Sequence, residues 1–252
     1  MFIYPAKLGR PDGSAGPKFC LRWFVGVCCA LLLGLPFSEG TAEELLEDSQ
    51  VWASVLATKP LQANGGPWRL WLEGLARFGN DMSTLSQGMI RPGIGYAINE
   101  HASVWTGYAH IFTDTPFSRT SIDEDRIWQQ FIWTQRVGAG SFSTRARLEE
   151  RFVDNLSETG WRYRHFFKIS YPIAGLPGFS AVAFDEVFFN LKDIDRGPQA
   201  GFDQNRAFAG LGYALNSEIK TEIGYVNQFI DRPTNPNRMT HALSISLYLS
   251  FH

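Results

Sequence analysis

Cysteine is confined to one short part of this chain. The sequence has three cysteines, Cys20, Cys28 and Cys29, and all lie in its first 42 residues. A lipoprotein needs a small residue before its modified cysteine, whereas Val27 precedes Cys28. We therefore expect no lipidation. The rest of the chain has no thiol, which excludes disulfides and thiolate metal sites there. An exported fold built from that part must close by strand pairing alone.

A long apolar run is also missing beyond the amino-terminal segment. That segment has the features of an export signal: Lys18 and Arg22 precede an apolar stretch, Trp23–Leu35, that is short for a membrane-spanning helix. Small residues follow up to Ala42. We predict a signal peptide at 1–42, cleaved after Ala42, and a β-barrel domain at 43–252. An uncleaved anchor helix is the alternative.

A surplus of basic charge is absent, since the formal net charge is −2. Without a clustered basic surface we expect no nucleic-acid partner. Aromatic residues make up 14% of the chain, which excludes the disordered class. The sequence calls for no cofactor.

Side-chain alternation with a period of two replaces helical periodicity after residue 42. The clearest example is Ser143–Tyr171, where Arg145 and Arg147 alternate with apolar residues before a polar turn, and Arg162 and Arg164 alternate with aromatic residues after it. Successive strand side chains point to opposite faces, so this stretch predicts a hairpin with one charged and one apolar face. Such a pattern is typical of a barrel with lipid outside and a polar lumen.

Similar runs recur along the chain with turn signals between them. They are Gln50–Ala57, Trp68–Phe78, Leu85–Asn99, His101–Phe112, Arg126–Val137, Phe179–Asn190, Asn205–Ala214, Ser217–Ile230 and Met239–Phe251. Most are longer than the roughly five to six residues of an ordinary strand, which favours tilted membrane strands.

The predicted connections alternate between short turns and longer loops, as in outer-membrane barrels. Trp68–Phe251 would form ten strands, and Gln50–Ala57 would make an odd total. That run is an extra edge strand, a lumenal segment or half of a pair. The predicted fold class is therefore all-β: a single antiparallel up-and-down transmembrane β-barrel of about 10–12 strands.

Charged residues share one face of these strands, and lipid would penalise each Arg or Lys near its midplane by about 2–4 kcal/mol. We therefore expect them to face the lumen, where they either pair and fill it or form a narrow, porin-like, anion-selective pore. The predicted ladder consists of Arg69, Glu73, Arg77, Arg91, Arg126, Arg136, Arg145, Arg147, Glu149, Arg151, Arg162, Arg164, Lys168, Glu218, Lys220 and Glu222.

The last run alternates up to the terminal aromatic Phe251, followed by His252. Outer-membrane barrels end in such a strand. The expected partners are outer-membrane lipid and, through this strand, the barrel-assembly machinery. The expected location is the outer membrane of a Gram-negative bacterium.

Several motifs recur along the predicted strands. They are Arg91–Asn99, Trp105–His110, Arg126–Phe131, Arg145–Phe152, Arg162–Lys168, Asn205–Tyr213 and Glu222–Phe229. Together they resemble the bacterial family catalogued as domain of unknown function 2490, over about Val51 to Leu249. The resemblance implies an outer-membrane-type barrel with an export signal, and no catalytic residues.

Catalytic and metal sites find little support. His101 and Ser103 share a face but lack a third member, and strand parity separates His241 from Ser244. His165 lies among outward aromatic residues. The acidic loop clusters lack calcium-loop spacing, and the mid-strand glycines indicate close packing or curvature.

We therefore predict an outer-membrane barrel of unknown role, structural or a narrow pore, and no enzyme. Two alternatives remain open. A soluble periplasmic lipid-binding barrel would place the apolar residues inside and the arginines in water. A lipid-modifying hydrolase would need a nucleophile and a base on one face.

Overall fold

A computed structural model describes residues 46–62, 65–154, 156–195, 197–232 and 236–251. The predicted signal peptide lies outside these residues. The described chain is all-β. Within it, no helix is long and apolar enough to cross a membrane.

Eleven strands follow one another along the described part of the chain. They are β1 (Leu46–Pro60), β2 (Trp68–Gly79), β3 (Thr84–Ala97), β4 (Ala102–Thr113), β5 (Ile122–Val137), β6 (Gly140–Val153), β7 (Gly160–Pro172), β8 (Phe179–Asn190), β9 (Gly201–Ala214), β10 (Ile219–Ile230) and β11 (Arg238–Ser250).

Alternation decides which face of each strand is exposed. In β7 the side chains of Arg162, Arg164 and Lys168 are buried, whereas Phe167 and Ile169 are exposed by 45% and 46%. The same division recurs around the sheet. Most charged residues point inward and most large aliphatic residues point outward, although several aromatic rings also lie inside. An inward charged face is unusual for a soluble protein.

The strands form one closed barrel, β1-β11-β10-β9-β8-β7-β6-β5-β4-β3-β2. Each strand pairs antiparallel with the next, but β1 pairs with β11 in parallel from Leu46↔Arg238 to Thr58↔Ser250. An odd number of alternating strands cannot close without one parallel pair. The run Gln50–Ala57, whose role the sequence left open, is thus part of the strand that closes the barrel, and the predicted all-antiparallel pairing is corrected at this one seam.

The connections fall into two sets. One end of the barrel, here called the loop end, carries the start of β1 and the connections 80–83, 114–121, 154–159, 191–200 and 231–237. The opposite turn end carries 61–67, 98–101, 138–139, 173–178 and 215–218, together with the end of β11. The loop end is longer on the whole, but 80–83 is a tight turn whose Asn80, Asp81 and Met82 have positive φ.

Two pairs of glycines let aromatic rings pack against the inner wall. Gly93 lies opposite Gly107, and a Cβ on either would come within 2.7 Å of the Trp128 ring. Gly210 lies opposite Gly224, where Phe208 packs in the same way. The mid-strand glycines at these pairs therefore serve close packing, as the sequence indicated.

The rings belong to two apolar clusters inside the barrel. One contains Trp71, Trp105 and Trp128 together with Ala109, Ile111 and Ile132. The other contains Trp52, Val182, Phe208, Val226 and Ala242. These clusters fill parts of the interior, and the charged residues occupy the space between them.

Candidate functional site: the charged interior

Glu149 of β6 is the centre of the interior charge. Its side chain is fully buried and accepts hydrogen bonds from Arg162 at 2.7 Å and from Arg164 at 2.8 Å. Further guanidinium groups lie at 3.6–3.9 Å and come from β3, β5 and β6: Arg91, Arg126 and Arg147. One carboxylate therefore joins arginines from four strands, and it can do so because Glu149 on β6 and Arg91 on β3 both face the interior of a closed barrel.

Other carboxylates extend this network. Glu186 of β8 pairs with Arg145 at 2.7 Å and with Arg164 at 2.9 Å. Glu124 pairs with Arg126 at 2.7 Å and also with Arg151. Charge-assisted, bidentate pairs of this kind are the stronger hydrogen bonds in proteins.

Three further ion pairs belong to this network. Arg91 donates to Glu73 at 2.9 Å, and Asp203 lies 3.3 Å from Arg162. Near the turn end Lys168 reaches across the barrel from β7 to Glu222 of β10, at 2.6 Å. Burying charge is costly unless partners surround it, and here the partners come from distant strands.

Most of the predicted ladder is found on this inner face. Arg77, Arg91, Arg126, Arg147, Glu149, Arg162, Arg164, Lys168 and Glu222 are buried. Arg69, Glu73, Arg145, Arg151 and Lys220 are half-buried on the same face. Two residues lie elsewhere: Arg136 is exposed at the turn-end limit of β5, and Glu218 lies in the turn before β10.

Several members of the network were missing from the predicted ladder. Glu186 and Arg206 alternate correctly with their inward neighbours on β8 and β9, so strand parity was a signal that could have found them. Glu124 and Asp203 lie in stretches predicted as loops, whereas β5 and β9 begin earlier and include them.

Several of the guanidinium groups lie over aromatic rings. Phe188 is fully buried, with Arg162, Arg164 and Arg206 at 4.5–5.3 Å from its centroid. Arg147 stacks on Trp128 at 5.0 Å. Such contacts stabilise a cation that has been removed from water.

A cavity of about 550 Å³ lies beside the network. Its lining includes residues of the loop end, Phe117, Ser118 and Pro198, and reaches down the strands to Lys168 and Tyr248. Arg147 and Glu149 lie behind this wall. The cavity is lined by residues of all eleven strands, including many of the charged residues of the network.

The histidines among the described residues lie outside this interior. His101 is exposed at the turn end with its Nδ1 3.0 Å from the Thr134 carbonyl, whereas Ser103 is buried and accepts a hydrogen bond from Trp105. The two side chains of that sequence pair are therefore separated. His165 lies on the outer wall, between the hydroxyls of Thr144 at 2.9 Å and Tyr163 at 2.7 Å.

One ion pair joins two connections at the loop end. Lys192 donates to Glu158 at 2.9 Å and joins two connections, and this hydrogen bond holds the pKa of Glu158 below its usual range. Among the residues that the structure describes, no group of three or more His, Cys, Asp or Glu could hold a metal ion.

Comparison with known proteins finds relatives without a described activity. The family described as "Protein of unknown function (DUF2490)" matches residues 49–240. A protein of Methylorubrum extorquens, described only as uncharacterized, is 31% identical over 212 residues, which cover 82% of this chain and 90% of that protein. No solved structure matches.

Proposed function

We propose that this chain, which belongs to the DUF2490 family of proteins of unknown function, is an outer-membrane β-barrel whose lumen is closed by its own arginine–carboxylate network. The observation that carries the proposal is the reversed distribution of side chains. Glu149 and Arg147 are fully buried, whereas Leu72 and Ile90 are exposed by 50% and 54%.

The outer face supports contact with lipid. Large apolar side chains are exposed on most strands, for example Ile127 on β5, Ile169 on β7, Ile223 on β10 and Ile245 on β11. Monomeric soluble proteins rarely expose apolar patches beyond about 300–600 Å². A belt of this extent is suited to a hydrocarbon environment.

Aromatic residues near both ends support the same placement. At the turn end Trp68 packs on Tyr96 at 5.2 Å and Phe179 packs on Tyr213 at 4.6 Å. At the loop end Phe202 lies between Phe189 and Phe229. Two aromatic girdles around an apolar band are typical of outer-membrane barrels.

One carboxylate on the outer face has its hydrogen bonds made within the protein. Asp185 of β8 accepts hydrogen bonds from the Asn205 amide at 3.0 Å through both of its oxygens. A polar group that faces lipid is tolerated when its hydrogen bonds are made within the protein.

The interior favours a closed lumen over a pore. The arginines pair with carboxylates and stack on rings, and Arg147 and Glu149 have no exposed side-chain surface. An open channel needs a continuous row of solvated groups. A soluble lipid carrier would need an apolar interior, and a hydrolase would need a base beside an activated nucleophile.

The experiment is fractionation of cells that produce the protein, followed by gel electrophoresis of unheated and boiled samples and by conductance in planar bilayers. We expect the protein in the outer-membrane fraction, a change of migration on boiling, and no steady conductance. A periplasmic, soluble protein without this change would overturn the membrane assignment. A steady conductance, with anion selectivity altered in Arg147→Ala or Arg164→Ala, would replace the closed barrel by a pore.

A further inference from the structure

The cavity inside the barrel has an excess of positive charge. Ten basic and four acidic side chains line it. The residues immediately behind the wall leave the balance unchanged, because Glu149 lies beside Arg147 and Glu222 beside Lys220. Buried charge of one sign is unfavourable unless a counter-charge accompanies it.

Arg77 of β2 carries the clearest part of this excess. Its residue surface is 8% exposed, and it forms no hydrogen bond or ion pair with any of the described residues. Its guanidinium group stacks on Trp52, with the carbon 3.9 Å from the ring centroid, and lines the cavity. An arginine that stacks on a ring, and whose donors have no partner among the described residues, is suited to bind an oxyanion.

Arg206 of β9 stands beside the same ring. Its guanidinium carbon lies 5.3 Å from Trp52 and 4.5 Å from Phe188, and its nearest carboxylate oxygen, on Glu186, is 3.9 Å away. Trp52 thus brings together two cations from opposite sides of the β1–β11 seam. Nη2 of Arg206 donates to Gln204 Oε1 at 3.1 Å. The donors of Arg77 and the remaining donors of Arg206 therefore approach this ring from two directions.

The backbone is irregular at both of these places. The β2–β3 register shifts between Arg77 and Phe78, and the β8–β9 register shifts between Phe188 and Phe189. Bulges change the direction of a side chain and are common beside functional sites. Here they occur at the unpaired arginine and at the ring that supports Arg206.

An apolar surface lies beside Arg77, beginning two residues earlier on the same face of β2. Leu75, Met89 and Ile111 are direct neighbours in register on β2, β3 and β4, and all three line the cavity. The cavity therefore combines a cationic position with an adjacent apolar surface. Its volume of about 550 Å³ is in the range of small-molecule sites.

We propose that the cavity binds a small amphipathic anion, whose phosphate or carboxylate group pairs with Arg77 and Arg206 while its apolar chain lies on Leu75, Met89 and Ile111. The proposal adds a ligand to the closed barrel, and it depends on the interior alone rather than on the membrane location.

The test is calorimetric titration of the full-length barrel, in nanodiscs of zwitterionic lipid, with hexyl phosphate, hexanoate, inorganic phosphate and hexanol. Empty nanodiscs give the heat of partition into lipid. We expect hexyl phosphate to bind at least tenfold more tightly than inorganic phosphate, and hexanol to show no binding to the protein. The relative affinities of hexyl phosphate and hexanoate identify the head group.

Variants locate the site. Arg77→Gln and, separately, Arg206→Gln should each weaken hexyl phosphate at least tenfold, and Leu75→Ala should weaken hexyl phosphate but not inorganic phosphate. Arg69→Gln is the matched control, because Arg69 lies on the same strand and face but does not line the cavity. Each variant is first checked for the heat-dependent gel shift.

Three results would overturn the proposal. They are no binding of any anion to the wild-type barrel, equal affinity in Arg77→Gln and wild type, and equal loss in Arg69→Gln and Arg77→Gln. Equal affinity for hexyl phosphate and inorganic phosphate would refute the apolar part of the site. If the membrane assignment fails and the protein is soluble, the same titrations are made in buffer without nanodiscs, and the folding of each variant is checked by tryptophan fluorescence. The two proposals therefore fail independently, since the titration measures the interior.

Discussion

Glu149 shows how a single side chain can hold a polar interior together. It is the shared partner of arginines on several strands and has no exposed side-chain surface. Removing one partner of a buried ion pair leaves uncompensated charge, which costs about 3–5 kcal/mol. The residue is therefore more important to this fold than a surface ion pair, which contributes about 0–1 kcal/mol.

We predict that Glu149→Gln lowers the free energy of unfolding by about 3–5 kcal/mol, because Arg162 and Arg164 lose their shared carboxylate. The measurement is a urea titration of the barrel in detergent micelles, followed by tryptophan fluorescence. Glu158→Gln, which breaks an exposed loop pair, is the control and should be indistinguishable from wild type. A loss below about 1 kcal/mol for Glu149→Gln would contradict the role given to this network.

Strands β3 and β4 show how small residues on one pair of strands permit a large side chain to pack against them. Their paired glycines leave room for Trp128, which packs on Trp71 at 6.1 Å and thereby links β2 to β5 across the interior. Two small residues opposite each other thus permit one large one on the neighbouring strand. A second glycine pair, Gly210 and Gly224, leaves room for Phe208 in a similar way, although Phe208 lies on the same strand as Gly210.

Gly93→Ala should destabilise the barrel by roughly 1–3 kcal/mol, since its Cβ would lie 2.5 Å from a carbon of Trp128 and 2.9 Å from the Thr106 carbonyl oxygen. Gly74→Ala is the matched control, because a Cβ at that strand position meets no atom within 4 Å. The same urea titration compares the two. Equal stability of the two variants would show that the Trp128 packing does not limit this position.

The whole molecule is organised by its odd strand count. Because β1 and β11 run in parallel, Leu46 lies at the loop end and Ser250 at the turn end. The first strand of the barrel therefore begins at the loop end, and the last strand finishes at the turn end.

Cysteine labelling tests this topology. With the turn end toward the periplasm, Glu47→Cys at the start of β1 and Thr120→Cys in the 114–121 connection should react with a bulky, impermeant maleimide on intact cells. Leu176→Cys, at the turn end, should react only after the outer membrane is permeabilised. The 43–252 domain has no cysteine of its own, so the label is specific.

Other labelling patterns would contradict different parts of this assignment. Labelling of Glu47→Cys together with Leu176→Cys, but not with Thr120→Cys, would contradict the parallel seam. Labelling of Leu176→Cys alone would reverse the orientation of the barrel in the membrane and leave the topology intact. Labelling of all three in intact cells would refute the membrane proposal.

Alternation in the sequence determined the all-β class, the existence of nearly every strand and the division of residues into two faces. It could do so because a strand reverses its side-chain direction at each residue, whatever the rest of the fold does. Arg164 and Ile169 were thus assigned to opposite faces from a local pattern. The family resemblance was also contained in the sequence and is confirmed.

Tertiary structure decided what local patterns do not encode. Strand ends depend on neighbouring strands, so Glu124 and Asp203 could not be assigned to β5 and β9 from local sequence. The parallel β1–β11 pair depends on how the sheet closes. The gathering of arginines around Glu149 depends on which strands face one another across the interior, and so does the lack of an ion pair between Arg77 and the carboxylates of the described residues. No period along the chain specifies which strands face one another.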